Sequence, residues 1–262
     1  MKSFVVAFWV EVIKTRKSRI FWASFLFFIL VSSMMGLIMF VQIYPEISGK
    51  LGMIGTKASL FRFGEPNWQN YFALLIQGFA GVGMVGIGFI TSWVFGREFS
   101  DKTVKDILAL PVSRDAIVLA KFVVIVIWSI LLTVVFYISG MLIGFAIGLP
   151  GWTGAVIFQS TETYFITALL TIFLCTPVAF FASYSRGYIV PMAFVILTLI
   201  LANFTGLVGL GPYFPWSIPG LYGVASGDES MQLTLVSPYI LLITSLLGLG
   251  GTLFWWRFAD QK

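Results

Sequence analysis

The chain alternates long apolar runs with short polar ones. A helix needs about 20 apolar residues to cross the hydrocarbon core of a bilayer, and six runs reach that length: Ile20–Tyr44, Tyr71–Phe95, Ile117–Leu149, Thr163–Ser183, Tyr188–Leu210 and Pro238–Trp256. The third is long and carries Lys121 near its start, which predicts that it begins outside the bilayer. Pro177 and Pro191 predict kinks in the fourth and fifth.

A different pattern precedes the first run. Phe4, Val5, Phe8, Trp9, Val12 and Ile13 recur at helical spacing, with Ser3, Glu11, Lys14 and Ser18 on the opposite face. Residues 2–19 therefore predict an amphipathic helix lying along the membrane surface, its polar face turned to a partner or to lipid headgroups. The basic stretch runs to Arg19, the following run is too long for a signal h-region, and no A-x-A-like site follows, so the start does not read as a cleaved signal peptide.

Composition agrees with the spans. Of 262 residues, 59% are hydrophobic and 10% charged, with a mean hydropathy of +0.98; a soluble domain carries about 25% charged residues. The expected fold is an all-α polytopic membrane protein, a single transmembrane domain over residues 1–262. A disordered chain, a nucleic-acid-binding domain and a disulfide scaffold are excluded. With no histidine and the single Cys175, Ser-His and Cys-His catalysis and imidazole-ligated metal sites are excluded too, so no catalytic or metal residue is assigned.

The net charge of +5 has a membrane explanation. Thirteen lysines and arginines fall in the N-terminal segment, the loop between the second and third spans, the fourth–fifth turn and the tail; the opposite side holds only Lys50, Lys57 and Arg62. By the positive-inside rule both termini are cytoplasmic.

Two loops carry more than a connection. Over residues 96–121, five basic residues meet Glu98, Asp101, Asp106 and Asp115. Ser100 is placed to cap a short helix with an apolar stripe at Thr103, Val104, Ile107 and Leu108, Pro111 to end it, and Ser113 to cap the third span. The outer loop, residues 211–237, holds Pro212, Pro215, Pro219, Tyr213, Phe214, Trp216 and Tyr222 but no basic residue. It predicts short aromatic helices at the outer interface, with or without a role in transport.

Gly81, Gly83 and Gly86 spell the dinucleotide-binding pattern, but inside a membrane span with no preceding strand. They read instead as close helix packing, as do Gly140, Gly144 and Gly148, in a monomer core or between two copies. No P-loop is present. The second, fifth and sixth spans have no charge in their interiors; Glu162 sits at the edge of the fourth, and Lys121 and Arg257 at span ends. The polar groups there, among them Gln77, Thr91, Thr171, Thr176, Asn203 and Thr205, suit helix hydrogen bonds. This argues against a proton- or sodium-coupled carrier.

The string FGREFSDKTVKDILALPVSR, Phe95–Arg114, with a lysine at the head of the third span, resembles the permease subunits of type-2 ABC exporters, in particular the bacitracin-resistance and Nos-type branch. The resemblance implies a plasma-membrane permease, usually dimeric, with separate ATPase subunits docked below it and ATP and magnesium bound on those subunits. It implies that residues 96–116 form the coupling-helix loop, with Arg97, Glu98, Phe99, Asp101, Lys102, Thr103, Lys105 and Asp106 as ATPase contacts and Arg186 as a secondary one. It implies a connecting helix carrying Phe4, Phe8, Trp9, Glu11 and Lys14, and a pathway that includes Gln77, Phe79, Asn203 and Phe204. The expected function is ATP-driven export of an amphiphilic compound such as a peptide antibiotic or drug. The alternatives are an ATP-independent secondary carrier and a membrane protein that sequesters a toxin.

Overall fold

A computed structural model describes residues 2–46, 64–104, 112–224 and 233–258. Among them there are helices and turns and no strands. Helix α1 (Lys2–Arg16) is followed by six helices long and apolar enough to span a membrane: α2 (Arg19–Ile43), α3 (Trp68–Ser100), α4 (Arg114–Ala146), a fourth span made of α5 (Gly154–Phe173) and α6 (Cys175–Tyr184), α7 (Ile189–Leu207) and, after the short α8 (Ile218–Val224), α9 (Ser237–Phe258).

Polar residues set several helix starts. The Ile20 amide donates to Ser18 Oγ, the Asn70 amide to Asn67 Oδ1 and the Val156 amide to Thr153 Oγ1. The expected cap at Ser113 is present, accepting from the Ala116 amide at 3.3 Å. Ser100, by contrast, is the last residue of α3 and does not open the next helix. The helix continues past the predicted end of the second span because Arg97 and Glu98 are paired inside the protein, where their charge is no barrier to burial.

Pro177 breaks the fourth span as expected. It offers no amide hydrogen to the Phe173 carbonyl; the Thr176 hydroxyl lies 3.1 Å from that carbonyl and 2.7 Å from the Ser245 carbonyl of α9, which share its one hydrogen. Pro191 is different. It lies in the first turn of α7, where its missing donor costs nothing, and it does not kink the fifth span.

The core lies between α2, α3, α4 and α5. Phe79 packs against Phe28, Phe136 and Tyr164 at centroid distances of 5.3–6.1 Å. Two buried tyrosine hydroxyls in this layer are satisfied across helices: Tyr71 donates to the Gly140 carbonyl and Tyr164 to the Thr133 carbonyl. Gly86 lets Phe28 approach, Gly140 lets Leu75 approach and Gly144 lets Trp68 approach, so these glycines build the monomer core. Gly148 does not pack; its φ of +71° turns the chain after α4. The outward faces of α2, α7 and α9 carry exposed Leu, Ile, Val and Phe, the surface that lipid rather than water tolerates.

Candidate functional site

Two places in the fold carry polar chemistry. The first is at the end where α1, α3, α4 and the fourth–fifth turn meet. Glu11 of α1 and Glu98 of α3 face each other across Lys121 of α4, whose Nζ donates to Glu11 Oε1 at 3.0 Å, Glu98 Oε1 at 3.1 Å and the Val94 carbonyl at 3.1 Å. Arg97 donates to Glu11 Oε2, lies 3.5 Å from Glu98 Oε1 through Nε and sits 4.5 Å above the Trp93 ring. Lys14 donates to Glu98 Oε1 at 3.1 Å, and Thr103 Oγ1 to Glu98 Oε2 at 2.8 Å. Lys121 is fully buried, and Glu11 and Glu98 are 3% exposed. Three cations thus share two buried carboxylates, Arg97 and Lys121 from inside the protein and Lys14 from its rim. Charges are tolerated at such depth only when paired and hydrogen-bonded.

The structure places the groups named in the sequence as follows. Lys121 lies near the start of the third span, as expected, and is enclosed within the protein. Arg97 and Glu98 are buried, so they do not present themselves at the surface of the described protein. The apolar face of α1 turns outward at Val5 and Trp9, about 60% exposed, with Phe4 and Phe8 half-buried, while its polar face with Glu11 and Thr15 points into the protein and not to a separate partner. The physical reason is that Glu11 finds its cations on α3 and α4, while an apolar face can turn outward where the neighbour is lipid.

The groups left at the surface are nearby. Asp101 and Lys102 are exposed, whereas Phe99 is half-buried against Trp256 at 6.0 Å. Helix α3 closes with the Lys102 amide donating to the Phe99 carbonyl and the Thr103 amide to the Glu98 carbonyl. That closure normally employs glycine in the left-handed region, yet Lys102 has φ +58°. The fourth–fifth turn repeats it: the Gly187 amide donates to the Ala182 carbonyl, and exposed Arg186 has φ +55°. The fourth–fifth turn packs on α3, since a methyl group on Gly96 would meet the Gly187 carbonyl carbon and oxygen at 2.9 Å. Lys105 and Asp106 lie outside the described residues. Arg114 serves the last helix, donating to the Trp256 carbonyl at 3.1 Å.

The second place is at the opposite end. A cavity of about 430 Å³ lies between α3, α7 and the outer segment. Gln77, Gly81, Asn203, Trp216 and Leu221 are among its walls. The outer segment is tied down on three sides: Gln77 Nε2 donates to the Gly220 carbonyl at 3.0 Å, Ser237 Oγ to the Pro212 carbonyl at 2.8 Å, and the Thr205 and Ser217 hydroxyls pair at 2.8 Å. Residues Phe79–Gly83 form one turn of π-helix, a wider turn that sends Phe79 into the core and leaves Ala80 and Gly81 on the cavity. Of the four pathway candidates the structure brings two together, Gln77 and Asn203. Phe79 is core, and Phe204 is 60% exposed on the outer face of α7.

The charge cluster is not legible in the sequence because it joins three helices, with partners across them 23 to 110 residues apart. Glu11 was the available signal, being the sole acid among residues 2–19.

An all-helical chain with six membrane-length helices and no nucleotide-binding motif has the make-up of a transporter's membrane subunit. Residues 7–204 match the family described as ABC-2 family transporter protein, and the chain belongs to that family. It is a multi-pass plasma-membrane protein and the membrane component of an ABC transporter. Over 191 residues it is 28% identical to the bacitracin transport permease protein BCRB of Bacillus licheniformis, an alignment covering 72% of this chain and 88% of that one. No solved structure matches the chain.

Proposed function

We propose that the protein is the permease subunit of an ATP-driven exporter. It works with a separate ATPase chain, which holds the ATP and magnesium, and it moves an amphiphilic cargo of the peptide-antibiotic kind. The lysine and arginine distribution supports a cytoplasmic position for both termini and for the charged end. The observation that carries the reading is the pair of like-built turns with Asp101, Lys102 and Arg186 exposed, the second of them packed on α3 at Gly96. A left-handed backbone costs a residue with a side chain about 1–2 kcal/mol, and a basic residue kept there twice is explained by a surface that needs its charge. An ATPase docked on these turns would pass its closure to α3 and, through the charge cluster, to α1 and α4. The permease responds only if it binds the two ATPase states differently. The similarity to a bacitracin permease and the largely uncharged outer cavity support an amphiphilic cargo over an inorganic ion.

The test is co-purification of the tagged chain in mild detergent with an ATP-hydrolysing partner, followed by export from reconstituted vesicles. Lys102→Gly should raise the stability of the permease by up to about 1 kcal/mol while weakening ATPase coupling. Arg186→Glu combined with Lys102→Glu should abolish ATP-dependent export with the chain still in the membrane. Recovery of the chain alone, active without ATP, would favour a secondary carrier; retention of the compound without turnover would favour sequestration.

A Cβ on Gly81 would meet nothing within 4 Å, and Gly81 lines the cavity. Gly81→Leu should therefore fill the cavity without disturbing the fold. Export should fall by an order of magnitude or more at an unchanged amount of protein in the membrane, read by vesicle transport against immunoblot.

A further inference from the structure

We propose that the elbow between α1 and α2 binds one anionic phospholipid of the leaflet at the charged end. A groove of about 210 Å³ opens there between the end of α1, the start of α2 and the middle of α4. Its walls include Thr15, Phe21, Trp22, Trp128 and Leu131, with Arg16 at its edge. The walls are apolar and suit an acyl chain. One polar group does not fit them: Thr15 is 3% exposed and its hydroxyl has no hydrogen-bond partner. A buried hydroxyl left unpaired is costly, and a lipid ester or phosphate oxygen seated in the groove would accept from it.

The rim supplies the charge. Arg16, Lys17 and Arg19 are exposed and join no ion pair among the described residues. Glu11, the one acid nearby on α1, is occupied by Arg97 and Lys121. The N-terminus of the 25-residue helix α2 lies in the same elbow, with Ser18 satisfying only the Ile20 amide. Free amides at a helix start favour a phosphate. Three unpaired cations, a helix N-terminus, an unpaired buried hydroxyl and an apolar groove converge on one ligand chemistry, a phosphodiester joined to acyl chains. A free phosphate would leave the groove empty, and a zwitterionic lipid would leave the cations in excess.

The experiment is native mass spectrometry of the full chain in mild detergent, titrated with equal amounts of dioleoylphosphatidylglycerol and dioleoylphosphatidylcholine. One phosphatidylglycerol should be retained in preference to phosphatidylcholine. Arg16→Gln and Arg19→Gln should each lower that preference on the order of fivefold, and Arg257→Gln should leave it unchanged. Leu131→Trp, which fills the groove and keeps every cation, should abolish it. Equal retention of the two lipids by the unaltered protein would overturn the proposal without reference to any variant's folding. So would a preference that survives in Leu131→Trp, because the lipid would then sit elsewhere.

Discussion

Replacing Glu98 with glutamine is expected to be among the most damaging single changes in the protein. Glu98 accepts from Lys14, Lys121 and Thr103. Without it, Lys14, Arg97 and Lys121 share only Glu11, and two of the three are deeply buried. Removing one partner of a buried ion pair costs about 3–5 kcal/mol because the other charge remains uncompensated. Folded yield and unfolding in mixed micelles should both show a loss of that size. The arithmetic of charge also predicts an asymmetry. Lys121→Met leaves two cations facing two carboxylates, so it should cost less than Glu98→Gln. Adding Lys121→Met to Glu98→Gln should recover part of the loss. Additive costs in the double-mutant cycle would mean that the two side chains do not depend on each other. Lys14 differs from its partners in that its side chain is 37% exposed. Its ion pair is partly screened by solvent, and Lys14→Met should cost no more than about 1 kcal/mol.

The second large effect is expected at Gly248, where α9 crosses the break in the fourth span. A Cβ there would stand 2.5 Å from the Thr176 carbonyl carbon and 2.8 Å from Pro177 Cα. These are backbone atoms and cannot move aside as a side chain could. Thr176 Oγ1 also donates to the Ser245 carbonyl at 2.7 Å, a bond that any separation of the two helices would stretch. Gly248→Val is therefore expected to destabilise by about 3 kcal/mol, the upper end for overpacking. Gly250→Ala is the matched control, since nothing lies within 4 Å of its Cβ position, and it should stay within about 0.5 kcal/mol. A comparable loss in both would point to a general intolerance of α9 to side chains rather than to this crossing. The crossing is linked to the cavity, because Ser237, at the start of α9, holds Pro212 of the segment beside it.

Much of the framework was legible in the sequence. An apolar stretch longer than the bilayer is thick has one low-energy fate, a spanning helix, because every backbone amide and carbonyl must be satisfied without water. That is why the first span, read as Ile20–Tyr44, is observed as Arg19–Ile43, and the sixth, read as Pro238–Trp256, as Ser237–Phe258. Caps obey equally local rules, and Ser113 was readable from its neighbours alone. The fourth span was read too short at its start. Gly154–Glu162 carries polar residues that a hydropathy window discounts, yet a helix tolerates them where they find partners, as Thr161 does with Tyr137 at 2.6 Å.

The candidate sites were less legible, for reasons of distance along the chain. Gln77 and Asn203 could be placed on the second and fifth spans, but the sequence could not tell which residues of those helices share a cavity. The π-helical turn at Phe79–Gly83 redirects Phe79 and Gly81 to opposite roles. The sequence alone determined the class of protein, the spans, the uneven distribution of basic residues and the absence of a nucleotide-binding motif, because each follows from local composition. Only the tertiary structure decided that Glu11 turns inward, that Arg97, Glu98 and Lys121 form one buried cluster, and that the turn at Arg186 packs on α3 at Gly96. Whether a charge is exposed or paired depends on which helix stands beside it, and helix packing is settled by contacts among residues that a linear pattern keeps apart.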